Sequence, residues 1–149
     1  MTTNRFAKSL ALLLGALTLA ACSSRPVPEP GARTAALEGP VVGPRWNLLL
    51  VGTDERLSMP ETPHIVVAPD GRVSGSDGCN QLNGRVRLGE GNRIEFTELA
   101  TTRRACPQGE DARRVTGMME NAHRYLIDHD RLVFFGPDQR VLGGWRRAD

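Results

Sequence analysis

A chain of 149 residues with a formal charge of +2 leaves room for one domain and excludes a protein that works through a general basic surface. The whole excess sits on Arg5 and Lys8; beyond them 17 arginines face 17 acidic residues, so the remainder is neutral and no nucleic-acid partner is expected. Lys8 is the only lysine, a whole-chain bias that reflects composition more simply than anion binding.

The N-terminus carries a targeting pattern. Arg5 and Lys8 form a basic start, and Leu10 to Ala20 form an apolar run that is shorter than the ~20 residues needed to span a bilayer. The run ends in Leu19-Ala20-Ala21-Cys22, which resembles the lipobox of bacterial lipoproteins. The resemblance implies a signal peptide over residues 1–21, cleavage before Cys22, and acylation of the Cys22 thiol and the new amine. An ordinary signal peptide that happens to end in cysteine is the alternative. Two or more acyl chains, at ~0.8 kcal/mol per buried CH₂, hold a protein on a membrane durably. Ser23 follows the cysteine, not Asp, and in the Gram-negative sorting pattern this implies the outer membrane, with the domain in the periplasm.

Residues 22–44 read as the lipidated cysteine and a linker. Pro26, Pro28, Pro30, Pro40 and Pro44 are half of all the prolines, and proline removes donors and favours extended conformers, so no packed core is expected there. Fully extended at ~3.1 Å per residue, the linker reaches about 60–70 Å.

The domain is expected over 45–149. Trp46-Asn47-Leu48-Leu49-Leu50-Val51 reads as a first strand with Trp46, Leu48 and Leu50 on one face. A polar loop from Gly52 to Pro63 follows, then a short strand at Ile65-Val66-Val67. Pro69-Asp70-Gly71 is a turn, with a third strand from Arg72 to Ser74. The stretch Ser74-Gly75-Ser76-Asp77-Gly78-Cys79-Asn80 is a crowded turn, in which Gly75 and Gly78 allow positive φ and Asp77 and Asn80 tolerate it. Val86, Leu88, Ile94 and Phe96 alternate with polar residues around Gly89-Glu90-Gly91-Asn92, which predicts a hairpin with Arg87 and Glu95 pairing outside.

Gln108 to Ile127 is the predicted helix. Val115, Met118, Met119, Ala122 and Leu126 recur at helical spacing as one apolar stripe. Pro107 lies ahead of it, and Glu110 and Asp111 fall in the first turn, where the dipole favours anions. Leu132 to Phe135 reads as a central strand and Arg140 to Arg146 as a closing one. The sum is α+β: about seven short antiparallel strands in a small sheet, curled or partly barrel-like, packed on one helix.

Two thiols, Cys79 and Cys106, remain if Cys22 is lipidated. In an oxidising compartment a bridge between them is the leading reading; buried free thiols and a catalytic cysteine are the others. His64, His123 and His129 lack metal-ligand spacing. No Gly-x-Ser-x-Gly, phosphate loop or His-Glu-x-x-His is present, so no catalytic residue, metal or cofactor is expected. Arg103-Arg104 and Arg113-Arg114 are a candidate local anion site near the helix start, with solvated surface the plainer account.

Val73-Ser74-Gly75-Ser76, Gly78-Cys79-Asn80 and Asn83-Gly84, then Leu99-Ala100-Thr101-Thr102-Arg103-Arg104-Ala105-Cys106, resemble the two signatures of the META/HslJ family of bacterial envelope proteins. Gly75, Gly78, Asn80, Gly84, Thr102 and Arg103 are the motif positions, with Arg104 and Asp77 as departures. The resemblance implies a domain of the outer membrane linked to envelope stress and novobiocin tolerance, with no catalytic residues to carry over. The expected function is therefore a non-enzymatic, membrane-anchored envelope lipoprotein, its partner an envelope protein or hydrophobic ligand. The alternative, by likeness of fold to type III secretion pilotins, is a carrier or chaperone holding an acyl chain or hydrophobic peptide between sheet and helix.

Overall fold

Alternation of apolar and polar residues gives this chain strands that bury one face each, and the sheet disposes of its edges by closing on itself. The computed structural model describes Leu37 and residues 39–149. The expected signal peptide, the lipidation site Cys22 and most of the linker lie outside the described residues. Eight strands follow in order: β1 (Arg45–Val51), β2 (His64–Val67), β3 (Arg72–Ser76), β4 (Gln81–Gly89) and β5 (Arg93–Thr101), then helix α1 (Gly109–Glu120), then β6 (Arg124–Asp128), β7 (Arg131–Phe135) and β8 (Val141–Arg147). Each pairs antiparallel with the next, and β8 returns to β1 to complete a ring. Among the described residues the architecture is α+β, one helix against a curled antiparallel sheet, with eight strands where about seven are expected.

The extra strand comes from the segment read as the last turns of the helix. α1 ends at Glu120; the Asn121 backbone and side chain both donate to the Gly117 carbonyl, at 3.1 and 2.7 Å. The apolar stripe holds through Val115, Met118, Met119 and Ala122, all buried. Leu126 does not belong to it: it lies on the outer face of β6 and is 49% exposed. Arg124-Tyr125-Leu126-Ile127-Asp128 alternates instead, with Tyr125 and Ile127 packed against the core. An aromatic and a β-branched residue at period two favour a strand once the helix has been capped.

The hairpin closes as its pattern dictates: Val86 faces Phe96 and Leu88 faces Ile94, with three of these four buried and Leu88 half-buried. Arg87 and Glu95 sit opposite each other at 3.9 Å in solvent, a pair worth at most about 0.5 kcal/mol. In β1 the expected single face breaks. Its ladder with β8 shifts register between Leu48 and Leu50, so Trp46 is fully buried while Leu48 and Leu50 are only half-buried. The strand bends at that bulge to follow the ring.

The folded module also starts earlier than Arg45. Val41 is fully buried and its carbonyl accepts the Trp46 indole N–H at 3.1 Å. Val42 bridges to Val67, and Leu37 N–H donates to the Pro69 carbonyl at 2.6 Å. Two adjacent valines between Pro40 and Pro44 supply apolar contact that the proline content conceals.

Inside the ring, Phe134 meets Phe96 edge-on at 5.5 Å and Trp145 at 6.0 Å, separations at which aromatic pairs add to simple burial. Helix α1 lays Val115, Met118 and Met119 into the same cluster. Met118 Sδ occupies the place where a side chain on Gly143 would begin.

Candidate functional site

Three segments converge on the crowded turn. Cys79, buried, is bridged to Cys106, half-buried, with Cα atoms 6.2 Å apart and a sequence separation of 27. That Cα spacing is ordinary for a disulfide, and closing such a loop stabilises by about 3.5 kcal/mol in the chain-entropy account. Of the three readings for these cysteines, the structure has the bridge.

Asp77 organises the turn. It is 2% exposed, and its Oδ1 accepts the backbone N–H groups of Cys79 and Asn80 at 2.9 and 2.6 Å. Its own N–H donates to the Asn80 carbonyl at 3.0 Å. A carboxylate taken from water needs such donors, and charge assistance shortens and strengthens the bonds. The positive φ that Asp77 and Asn80 tolerate is not what places them here. Neither has positive φ; both act through side-chain oxygens. The signal was in the spacing, since an Asp two residues before one N–H and three before another is the offset of an Asx turn.

Asn80 joins the two signatures. Its Oδ1 accepts the Arg104 N–H at 2.7 Å and the Thr102 hydroxyl at 3.4 Å. Thr102 Oγ1 in turn accepts the Gln81 N–H at 3.1 Å, and Thr102 N–H donates to the Gln81 carbonyl at 3.0 Å. The cysteine segments are thus linked by hydrogen bonds as well as by sulfur. Arg104 takes part through its backbone, which any residue except proline supplies. Arg103 is exposed and makes no hydrogen bond or ion pair among the described residues.

Gly75 and Gly78 are required for different physical reasons. A Cβ on Gly75 would run into the His64 carbonyl across the β2–β3 pair. Gly78 has φ +94 and is walled by Met59 Cε, the Glu61 carbonyl and Pro63 Cγ within 3.0 Å of a would-be Cβ. Gly84 stands at the register shift in the β4–β5 ladder, over Leu99. The loop between β1 and β2, whose sequence reads as plain polar loop, is therefore the third wall. Buried Ser76 fastens it: the Ser76 hydroxyl accepts the Gly78 N–H at 3.1 Å and donates to Glu61 Oε2 at 3.2 Å.

The same loop is clamped to the helix. Arg114 grips Glu55 with both terminal guanidinium nitrogens, Nη1 to Oε1 at 2.8 Å, and reaches Asp111 at 3.3 Å. Its hydrogen bond holds the Glu55 carboxyl below the usual carboxylate range, and the two carboxylates push the Arg114 guanidinium further up. Arg114 is thus engaged with carboxylates of its own chain, which takes it out of the candidate anion site near the helix start.

The arrangement is built to hold three segments together. Among the described residues no group of three or more His, Cys, Asp or Glu is placed to bind a metal, and His64, His123 and His129 stay apart. His64 Nδ1 pairs with the Thr62 carbonyl at 3.3 Å and His129 Nδ1 with Asp128 at 2.6 Å. The space between helix and sheet is occupied by Val115, Met118, Met119, Phe96 and Phe134. The hollows open outward instead, one of about 430 Å³ beside Arg93, Glu95, Glu120 and His123. Among the described residues no helix is long and apolar enough to cross a membrane.

Three solved structures share this architecture. An NMR structure is 24% identical at a TM-score of 0.56, covering 71% of this chain and 90% of its own. A second NMR structure, of a protein from Burkholderia xenovorans, is 18% identical at 0.59, covering 72% and 83%. The crystal structure of a DUF4847 family protein from Bacteroides vulgatus is 13% identical at 0.52, covering 71% and 94%. At such identities the likeness is one of fold. No curated protein sequence matches. The profile of the META domain matches residues 39–149, the bridged turn and the ring included, and the chain belongs to the META domain family.

Proposed function

We propose that this protein is a lipid-anchored, non-enzymatic module of the bacterial envelope, held at the outer membrane through Cys22 with its META domain in the periplasm. The observation that carries the reading is the division of labour among three cysteines. Cys22 closes a lipobox-like run, and the other two are joined in a bridge of the kind that persists in oxidising compartments. The second support is the nature of the site, whose polar groups satisfy one another and stiffen a junction. The role assigned is mechanical or adaptor-like, contributing to envelope integrity under stress and to tolerance of novobiocin-type antibiotics.

The test is a comparison of three strains: parent, deletion and Cys22→Ser. The deletion is expected to be more sensitive to novobiocin and to other large apolar antibiotics. Cys22→Ser is expected to lose the acylated N-terminus by mass spectrometry, leave the outer-membrane fraction and reproduce that sensitivity. Deletion without any change in sensitivity, or an unmodified Cys22 in the parent, overturns the reading. The carrier alternative gains no comparable support, because the side chains between helix and sheet already fill the place a guest would take.

A further inference from the structure

The ring has one thin place. β5 and β6 meet through a single residue pair, Arg93 opposite Arg124, and two backbone bonds bracket it, Ile94 N–H to His123 O at 3.1 Å and Tyr125 N–H to Asn92 O at 3.0 Å. That bracketing makes it a non-hydrogen-bonded pair, the kind in which facing side chains emerge closest together. Two like charges directly opposite each other on a sheet repel. Both arginines are exposed, and among the described residues neither guanidinium forms an ion pair. Their cross-strand neighbours, Gly89 and Phe135, bring no charge. Glu95 faces Arg87, and Glu120 stands at the rim of the adjoining hollow.

We propose that the Arg93–Arg124 pair is a binding site for a phosphate group, specifically a singly charged phosphodiester. Two guanidinium forks rooted on facing residues of one sheet face offer more N–H donors than one carboxylate can accept, whereas a tetrahedral phosphate between them takes both. The site has room on each side: the hollow of about 430 Å³ reaches Arg93, and another of about 230 Å³ reaches Arg124, Tyr125 and Phe135. Gly91 leaves space for one fork, with Arg124 Nη2 3.0 Å from where a Cβ would stand. The carboxylates of Glu95 and Glu120 nearby select against a doubly charged monoester. Leu126, the only large apolar side chain exposed among the described residues, follows on the same face of β6, so a diester carrying an acyl chain, such as a phospholipid headgroup, meets an apolar contact beside the arginines. This site does not depend on how the chain is anchored.

The experiment uses the full chain in neutral detergent micelles, with NMR resonances of the Arg93 and Arg124 side chains and the Asn92 and Tyr125 amides followed during titration. Dimethyl phosphate is the soluble probe and dihexanoyl phosphatidylglycerol the lipid one. Saturable shifts at these groups are expected, weakened about tenfold in Arg93→Gln and in Arg124→Gln, the loss of one charged hydrogen-bond donor set, and unchanged in Arg113→Gln. Because each seam replacement removes a repulsion, both variants should be at least as stable as the parent, and loss of binding will not be loss of fold. Saturation by both probes assigns the site to the phosphate alone; saturation by the lipid alone, abolished by Leu126→Ser, assigns it to a headgroup with its chain. Shifts that are linear, spread over the whole domain or equal in the seam variants overturn the proposal.

Discussion

At Asp77 one carboxylate decides the shape of the turn on which the bridge is mounted. Replacing it with alanine leaves the buried Cys79 N–H and the part-buried Asn80 N–H without their acceptor. At roughly 1–3 kcal/mol for each orphaned donor, Asp77→Ala should lose about 2–4 kcal/mol in urea denaturation, with the slope unchanged and only the midpoint moved. Asp77→Asn keeps an acceptor at the same place and should lose roughly half as much. An alanine variant within about 0.5 kcal/mol of the parent would mean that the turn is set by Gly75 and Gly78 alone. The contrast explains what was legible at this scale. Residue types announce a tight turn but not burial, because Asp77 in a glycine-rich stretch reads as solvated until the Met59–Pro63 loop is known to lie against the neighbouring Gly78. Arg103 shows the reverse: a motif position with no partner among the described residues.

Among the elements, the helix and the strand that follows it read as one in the sequence because Ala122 and Leu126 keep a helical interval. What breaks the run is local. Asn121 bonds back to Gly117, and Tyr125 and Ile127 then take up a period of two. The correction has a measurable consequence. Met119 is fully buried on α1, and Met119→Ala should cost about 2–5 kcal/mol as a core truncation. Leu126→Ser on the outer face of β6 should stay within about 0.5 kcal/mol. If the two cost the same, Leu126 belongs to the core after all. A second consequence concerns the clamp between the β1–β2 loop and α1. Arg114 lowers the Glu55 pKa, so the stabilisation is present above the ordinary carboxylate value of 4.5 and is lost as pH falls through the depressed one. Comparing urea midpoints at about pH 7 and about pH 3, the drop on acidification should be smaller in Glu55→Gln than in the parent. An equal drop would assign the acid sensitivity to other groups, Asp70 among them, whose pKa is lowered by the Arg72 backbone N–H.

For the whole molecule, a curled antiparallel sheet on one helix was within reach of the sequence, while closure was not. Alternation states which face of a strand is buried, but not that β1 and β8, nearly a domain length apart, will pair. Nor does it reveal that the ring is uneven. The β4–β5 ladder is long, the β5–β6 contact is one residue pair, and the bridge lies at another place, tying the turn after β3 to the segment ahead of α1. Opening under native conditions should follow this map, since local stability tracks how much backbone is paired and packed. In hydrogen exchange, the Ile94 and Tyr125 amides that cross the seam should exchange with smaller protection than the Arg87 and Glu95 amides, which face each other inside the hairpin ladder. Reducing the disulfide should lower global stability by about 3.5 kcal/mol. Local protection should then fall at Cys79, Asn80 and Arg104, while the seam amides follow only the global change. The Asn80–Thr102–Arg104 hydrogen bonds should keep the reduced protein folded. Uniform protection around the ring would show that the closure is equally strong everywhere. Reduction that unfolds the domain outright would show that sulfur alone joins the two signatures.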